Sequence, residues 1–199
     1  MKLTFWGAAR QVTGSMYLIE LEDDYRILVD CGFDMEKGRK KVEEDEEAEH
    51  MGNIFPFEAS MINVVILTHA HIDHSGNLPN LIREGFEGQI ICTSATQTLT
   101  RLLLHDSAQL HQRRLKKIQG KQKKSKNKHT TDISEWYLPK HVDDTEEYFF
   151  PLQFNRRFQI IKGVWITLIP TGHLLGAANA FLEIEEHGTI KKILFSGDI

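Results

Sequence analysis

The first third of the chain alternates short apolar runs with turn residues, a pattern typical of β-strands. Three runs are rich in β-branched and aromatic residues, and Gly14, Asp23 and Asp24 mark the turns between them. These runs are LTFWG, SMYLIEL and RILVDCG. Residues 34–58 lose this periodicity and become highly charged, which predicts an excursion at the surface.

The middle of the chain combines strand and helix patterns. Residues 62–67 (INVVIL) are continuously apolar, as expected of a strand covered on both faces, and residues 89–92 predict another short strand. Residues 77–84 predict a short helix that stops at Gly85. A longer helix is predicted over residues 94–111, because leucines recur there at helical spacing. These leucines are Leu99, Leu102, Leu103 and Leu110.

The last part of the chain returns to strands after one more helical stretch. That stretch is predicted to begin at Thr131 or Asp132 and to run through residues 136–138. Four strand-like runs follow it: FQII, VWITLIP, NAFLEIE and IKKILFSG. Strands at both ends with helices between them predict a layered α/β domain.

Composition places the chain among ordinary globular proteins. Its 199 residues are enough for one sizeable core, and 41% of them are hydrophobic. No apolar run approaches the roughly 20 residues that span a bilayer, and the N-terminal residues lack the apolar centre of a signal peptide. We therefore expect no membrane association and a cytoplasmic location. Cys31 and Cys92 are read as small, reduced core residues, with a disulfide as the alternative.

The charge is unevenly distributed. Residues 113–128 hold nine Lys or Arg and no acid, and the net charge of −4 becomes −13 without those nine positive charges. We predict a mobile loop here. Any attraction to a polyanion must come from this basic segment or from something outside the chain.

Three histidines and an aspartate follow the apolar run 62–67 directly. His69 and His71 alternate along the chain, so an extended backbone places both rings on one face. Asp73 and His74 then need a turn to reach the same region, and the following Ser and Gly favour one. Several polar groups at the end of a buried strand would be costly without compensation. The cluster therefore predicts ligands for two neighbouring metal ions.

Polar residues also follow other predicted strands. His173 comes after VWITLI, and Asp198 comes after ILF. Ligands gathered at strand ends would meet in one cleft, where a carboxylate such as Asp198 can bridge two ions about 3.5–4 Å apart. Asp30 follows RILV and is predicted to be a hydrogen-bond partner of a ligand histidine. The alternative is an aspartate that only forms the turn before Gly32.

The His-x-His-x-Asp-His pattern of residues 69–74 resembles the hallmark of the metallo-β-lactamase superfamily. Asp30, His173 and Asp198 match the other ordered motifs of that superfamily. The segments GAARQVTGS (residues 7–15) and GHLLGAA (172–178) resemble its β-CASP branch of RNA-processing nucleases, as does the helix over 95–108. That branch includes the mRNA 3′-end cleavage factor and its bacterial and archaeal relatives.

The resemblance implies an αββα sandwich with a di-zinc site at the edge of two sheets. One zinc would be held by His69, His71 and His173. The other would be held by Asp73, His74 and the bridging Asp198. The implied reaction is attack by metal-bound hydroxide on an RNA phosphodiester, and we assign the catalytic carboxylates to Asp73 and Asp30. No substrate-binding residue is assigned, although the basic segment could contact RNA phosphates rather than stay solvated.

Two parts of the implied enzyme are expected beyond Ile199: a further histidine ligand and the β-CASP insertion. We therefore expect residues 1–199 to be the N-terminal part of an incomplete lactamase domain, with a basic insertion at 113–128 and impaired catalysis alone. Self-association as a homodimer, or local disorder, would cover apolar surface that the incomplete sheet exposes. The alternative functions are hydrolysis of small thioesters, lactones or other esters, and a non-catalytic role in an RNA-processing complex.

Overall fold

Two β-sheets form the framework of the computed structural model, which describes residues 1–9, 11–34, 54–122 and 136–199. The first sheet contains six strands in the described ranges. They are β1 Lys2–Phe5, β2 Tyr17–Glu20, β3 Arg26–Val29, β4 Val64–Ile66, β5 Gln89–Thr93 and β6 Phe149–Leu152. The second sheet contains four: β7 Phe158–Ile161, β8 Val164–Pro170, β9 Ala178–Glu186 and β10 Thr189–Phe195.

The strand order brings several strand ends to one edge. The first sheet follows the order of the chain, with β1 to β3 antiparallel and β3 to β6 parallel. The carboxyl ends of β3 and β4 are therefore neighbours. The second sheet is antiparallel in the order β10-β9-β8-β7, and Pro170 at the end of β8 pairs with Ala178 at the start of β9.

Four α-helices connect the strands in the described ranges, and none is long and apolar enough to cross a bilayer. They are α1 Ile72–Ser75, α2 Leu78–Arg83, α3 Ser94–Gln122 and α4 Pro139–Thr145. The short helix predicted over 77–84 matches α2, and Gly85 follows it with a φ of +100°, a conformation that favours glycine.

Three layers enclose two apolar cores. Residues such as Leu28 and Val65 point from the first sheet towards the helices and pack near Leu81. Their neighbours along each strand point the other way, so Ile66 belongs to a second cluster that includes Leu182 of the second sheet. Within the run 62–67, residues 64–67 are buried on both faces, as the sequence predicts, whereas Asn63 is exposed.

The outer face of the second sheet is exposed at Ile190 and Leu194. The described residues thus supply one helical layer and two sheets of the αββα sandwich expected from the sequence. Self-association over the exposed face stays a prediction.

One loop prediction and one helix prediction are wrong. The mobile loop predicted over 113–128 is helical as far as Gln122, where α3 ends, and residues 123–128 lie outside the described ranges. Arg, Lys and Gln are good helix formers, so the charge run prolongs the helix. Residues 136–138 are not helical: α4 begins at Pro139, where a proline suits the first helical position. Residues 131–135 lie outside the described ranges.

The buried face of α3 differs from the predicted leucine stripe. Leu102 and Leu110 are exposed. Among residues 94–117 of the helix, whose burial is described, the buried side chains are Thr96, Thr100, Leu104, Ala108 and His111. Small residues and hydroxyls, which a hydrophobicity pattern overlooks, therefore make much of this contact beside Leu104. Strand β6 was not predicted because it contains Pro151, which the outer position of β6 in the sheet tolerates. Cys31 and Cys92 are buried and unpaired, as predicted.

Two leucines of α3 provide a test of this packing. Leu104→Ala should lower the free energy of unfolding by about 2–5 kcal/mol, because it opens a cavity where the side chain is 1% exposed. Leu102→Ala makes the same change on the same helix where the side chain is 65% exposed, and it should cost less than about 0.5 kcal/mol. Urea unfolding measures both, and equal losses would contradict the assigned face.

Candidate metal centre

Four predicted ligands converge at the common edge of the sheets: His69, His71, His173 and Asp198. One ligand atom from each lies within 4.8 Å of all the others. Nδ1 of His71 is central, at 3.1 Å from Nε2 of His69 and 3.2 Å from Nε2 of His173. Asp198 Oδ2 lies 3.9 Å and 3.7 Å from the same two Nε2 atoms. Three imidazoles and one carboxylate are a donor set that suits zinc.

The strand ends explain this convergence. His69 and His71 follow β4, His173 lies in the β8–β9 turn, and Asp198 follows β10. The loop after β4 is joined to the second sheet by a backbone hydrogen bond of 2.9 Å from Ala178 N–H to the carbonyl of Thr68. A Cβ at Gly197 would lie only 3.0 Å from Thr68 Oγ1, so the chain entering Asp198 also packs against Thr68.

The hydrogen bonds of Thr68 fix the ring of His69. The Thr68 hydroxyl donates to Asp30 Oδ2 at 2.9 Å, so at 3.0 Å it must accept the Nδ1–H of His69. Nε2 of His69 then carries a lone pair that points into the group of four. Burial and the charge of nearby His74 lower the pKa of His69 to about 4, which keeps the ring neutral. A neutral imidazole is the form that binds metal.

His74 connects this group to Asp30. Its Nδ1–H donates to Asp30 Oδ2 at 2.8 Å, and its Nε2 lies 3.4 Å from Asp198 Oδ1. Burial lowers the pKa of His74, but the hydrogen bond and charge of Asp30 outweigh that effect and raise it. The two oxygens of Asp198 therefore face different imidazoles, Oδ2 towards His69 and His173 and Oδ1 towards His74. This arrangement suits a carboxylate between two metal ions.

Asp30 is buried at the end of β3 with a φ of +57°, a conformation in which aspartate is enriched. Its carboxylate accepts from the backbone N–H of Thr68 at 2.8 Å as well as from the Thr68 hydroxyl and His74. Asp30 thus joins the loop after β4 to the ring of His74 through three hydrogen bonds.

Asp73 lies outside the group of four. It is partly exposed in α1, and its carbonyl accepts a 2.9 Å hydrogen bond from Ser15 N–H. Sequence reasoning missed two contributors. Ser15 places its Oγ 3.4 Å from His74 Nε2, and Thr68 organises His69 and Asp30. Both adjoin recognised motifs, since Ser15 ends the segment 7–15 and Thr68 directly precedes His69.

The sequence of this chain is similar to a protein family and to individual proteins. The family model of the metallo-beta-lactamase superfamily matches residues 9–199. The chain is 28% identical over 199 residues to transcription termination factor FttA of Methanocaldococcus jannaschii, covering 100% of the chain and 27% of that protein. It is 30% identical over 199 residues to a ribonuclease of Thermus thermophilus, covering 100% of the chain and 38% of that protein.

A solved structure shows the same fold. A B3 metallo-beta-lactamase with an active-site glutamic acid superimposes with a TM-score of 0.54 at 15% identity, over 98% of this chain and 59% of that one. The αββα metallo-β-lactamase architecture expected from the sequence is confirmed as a mixed α/β fold of this kind. The chain spans well under half the length of the two sequence relatives.

Proposed function

Since this chain belongs to the metallo-beta-lactamase superfamily, we propose that it carries most of the metal site of a zinc-dependent hydrolase that cleaves RNA. The observation that carries the proposal is the meeting of His69, His71, His173 and Asp198 within 4.8 Å at the end of both sheets. Nε2 of His69 carries a lone pair and lies 3.1 Å from Nδ1 of His71, so the group offers a donor set that fits a metal ion.

Two zinc ions are proposed. The first would be held by His69, His71 and His173. The second would be held by Asp73, His74 and Asp198, with Asp198 shared. When bound, such ions lower the pKa of water to about 7 and stabilise charge on phosphoryl oxygens. The chain's own residues prepare the donors: Thr68 keeps the proton of His69 on Nδ1, and Asp30 keeps a proton of His74 on Nδ1.

RNA is the proposed substrate because the two relatives are named as a ribonuclease and a transcription termination factor. The segments 7–15 and 172–178 support the β-CASP branch within the superfamily. Exposed basic side chains on α3 would add attraction to phosphates. In the basic segment that begins at residue 113, those whose exposure is described are Arg113, Arg114, Lys116 and Lys117.

A substrate panel tests the proposal on the protein at its natural length. Single-stranded RNA should be cleaved in the presence of zinc, cleavage should stop after a chelator removes the metal, and added zinc should restore it. Small esters, thioesters and lactones should react slowly or not at all. Ester hydrolysis without RNA cleavage would contradict the RNA assignment, and a purified protein with near-zero zinc would favour a non-catalytic role.

A further inference from the structure

The turn that carries His173 projects from the second sheet. Residues 171–177 join β8 to β9 and are closed by two backbone hydrogen bonds, Ala177 N–H to Leu174 O at 2.9 Å and Thr171 N–H to Ala177 O at 3.2 Å. A Cβ at Gly172 would meet nothing within 4 Å, and Leu175 is 72% exposed. A ligand on so open a turn needs an anchor elsewhere to keep its position.

That anchor is the carbonyl of Gly176. It accepts a hydrogen bond of 2.8 Å from the hydroxyl of Thr93 and one of 2.9 Å from the hydroxyl of Thr96. Both threonines are buried where β5 passes into α3. Thr93 also accepts the backbone N–H of Thr96 at 3.2 Å, so its hydroxyl serves the helix start and the turn together.

The fit at Gly176 is tight enough to require glycine. Its φ is +86°, and a Cβ there would lie 2.5 Å from the backbone nitrogen of Thr96 and 2.6 Å from Thr93 Oγ1. Any larger residue would therefore push the turn away from α3. The close approach to Thr96 and the two hydrogen bonds from buried hydroxyls therefore all hold Gly176, which lies three residues after His173.

We propose that Thr93 and Thr96 are positioning residues that hold His173 in place for metal binding through Gly176. The inference rests on the metal centre of the proposed function. Neither threonine belongs to the group of four ligands. Their contribution is to order the turn before the metal arrives, so that zinc binding does not bear the entropic cost of fixing it.

Zinc affinity, measured by competition with a chelator on the protein at its natural length, is the test. The double variant Thr93→Val/Thr96→Val should bind the His173-dependent zinc about tenfold or more weakly, within the range for residues that support metal ligands. The corresponding double serine variant keeps both hydroxyls and should restore affinity to within about twofold. Thr98→Val is the matched control, because Thr98 lies exposed on the same helix and its hydroxyl donates to Ser94 O rather than to the turn.

A double-mutant cycle separates positioning from general damage. In a His173→Ala background the threonine substitutions should no longer change zinc affinity, because the side chain they position is gone. Unchanged affinity in the double valine variant, or an equal loss with and without His173, would overturn the inference. If the double variant fails to fold, Thr96→Val alone leaves the Thr93 cap in place and enters the same cycle. If His173→Ala itself leaves zinc affinity unchanged, the proposed metal centre fails instead.

Discussion

Replacing His71 by alanine in the protein at its natural length should lower RNA cleavage by at least about 10³-fold. Its Nδ1 is the atom that both other imidazoles of the group approach, at 3.1 Å and 3.2 Å. Removing it leaves His69 and His173 without the donor that lies between them, so the first zinc should be lost as well. The His71 side chain is only partly buried, and the fold should survive.

The measurements are zinc content, far-UV circular dichroism and the cleavage rate of single-stranded RNA. His187→Ala is the matched control. It removes an exposed histidine of the β9–β10 turn that forms an ion pair with Glu22. The control should retain zinc and activity. A purified His71→Ala protein that keeps its zinc and cleaves RNA at the original rate would rule out this metal centre.

Local sequence pattern was sufficient for most of the framework. Strands such as β8 and β9 follow from β-branched and aromatic runs bounded by turn residues, and their bounds lie within about two residues of those predicted. The pattern failed where the position of a strand in its sheet, or the packing of small and hydroxyl side chains, determines the structure. Strand β6 contains a proline, which its edge position tolerates. On the buried face of α3, Thr96, Thr100 and Ala108 lie beside Leu104, whereas Leu102 and Leu110 of the predicted stripe are exposed.

Part of the candidate site could likewise be predicted from the sequence, and part could not. The cluster at 69–74 is visible because its residues are adjacent in the sequence. Most of its support is not visible, because several supporting contacts join distant segments: Asp30 reaches Thr68 across 38 residues, and Thr93 reaches Gly176 across 83. Threonine and glycine are common residues with ordinary structural roles. Only the folded chain distinguishes these positions from any other threonine or glycine.

Asp30→Asn should cost about 3 kcal/mol of unfolding free energy when measured without metal, within the range for a broken buried network. Asparagine keeps the size of the side chain and tolerates the φ of +57°. It cannot keep the hydrogen bonds, because Asp30 accepts from Thr68 N–H at one oxygen and from both Thr68 O–H and His74 Nδ1–H at the other. Either orientation of the amide turns its NH₂ towards a buried donor.

The same substitution at Asp24 provides the control. Asp24 has the same φ of +57°, but its side chain is 92% exposed and its ion pair with Arg26 is 3.8 Å long. Asp24→Asn should therefore change stability by less than about 0.5 kcal/mol. Asp30→Asn should in addition weaken zinc binding about 10- to 100-fold, because His74 loses the partner that orients it. Chelator-treated protein in urea gives the stability, and zinc competition gives the affinity. If Asp30 served only to form the turn, asparagine would fulfil that role equally well, and neither quantity would change.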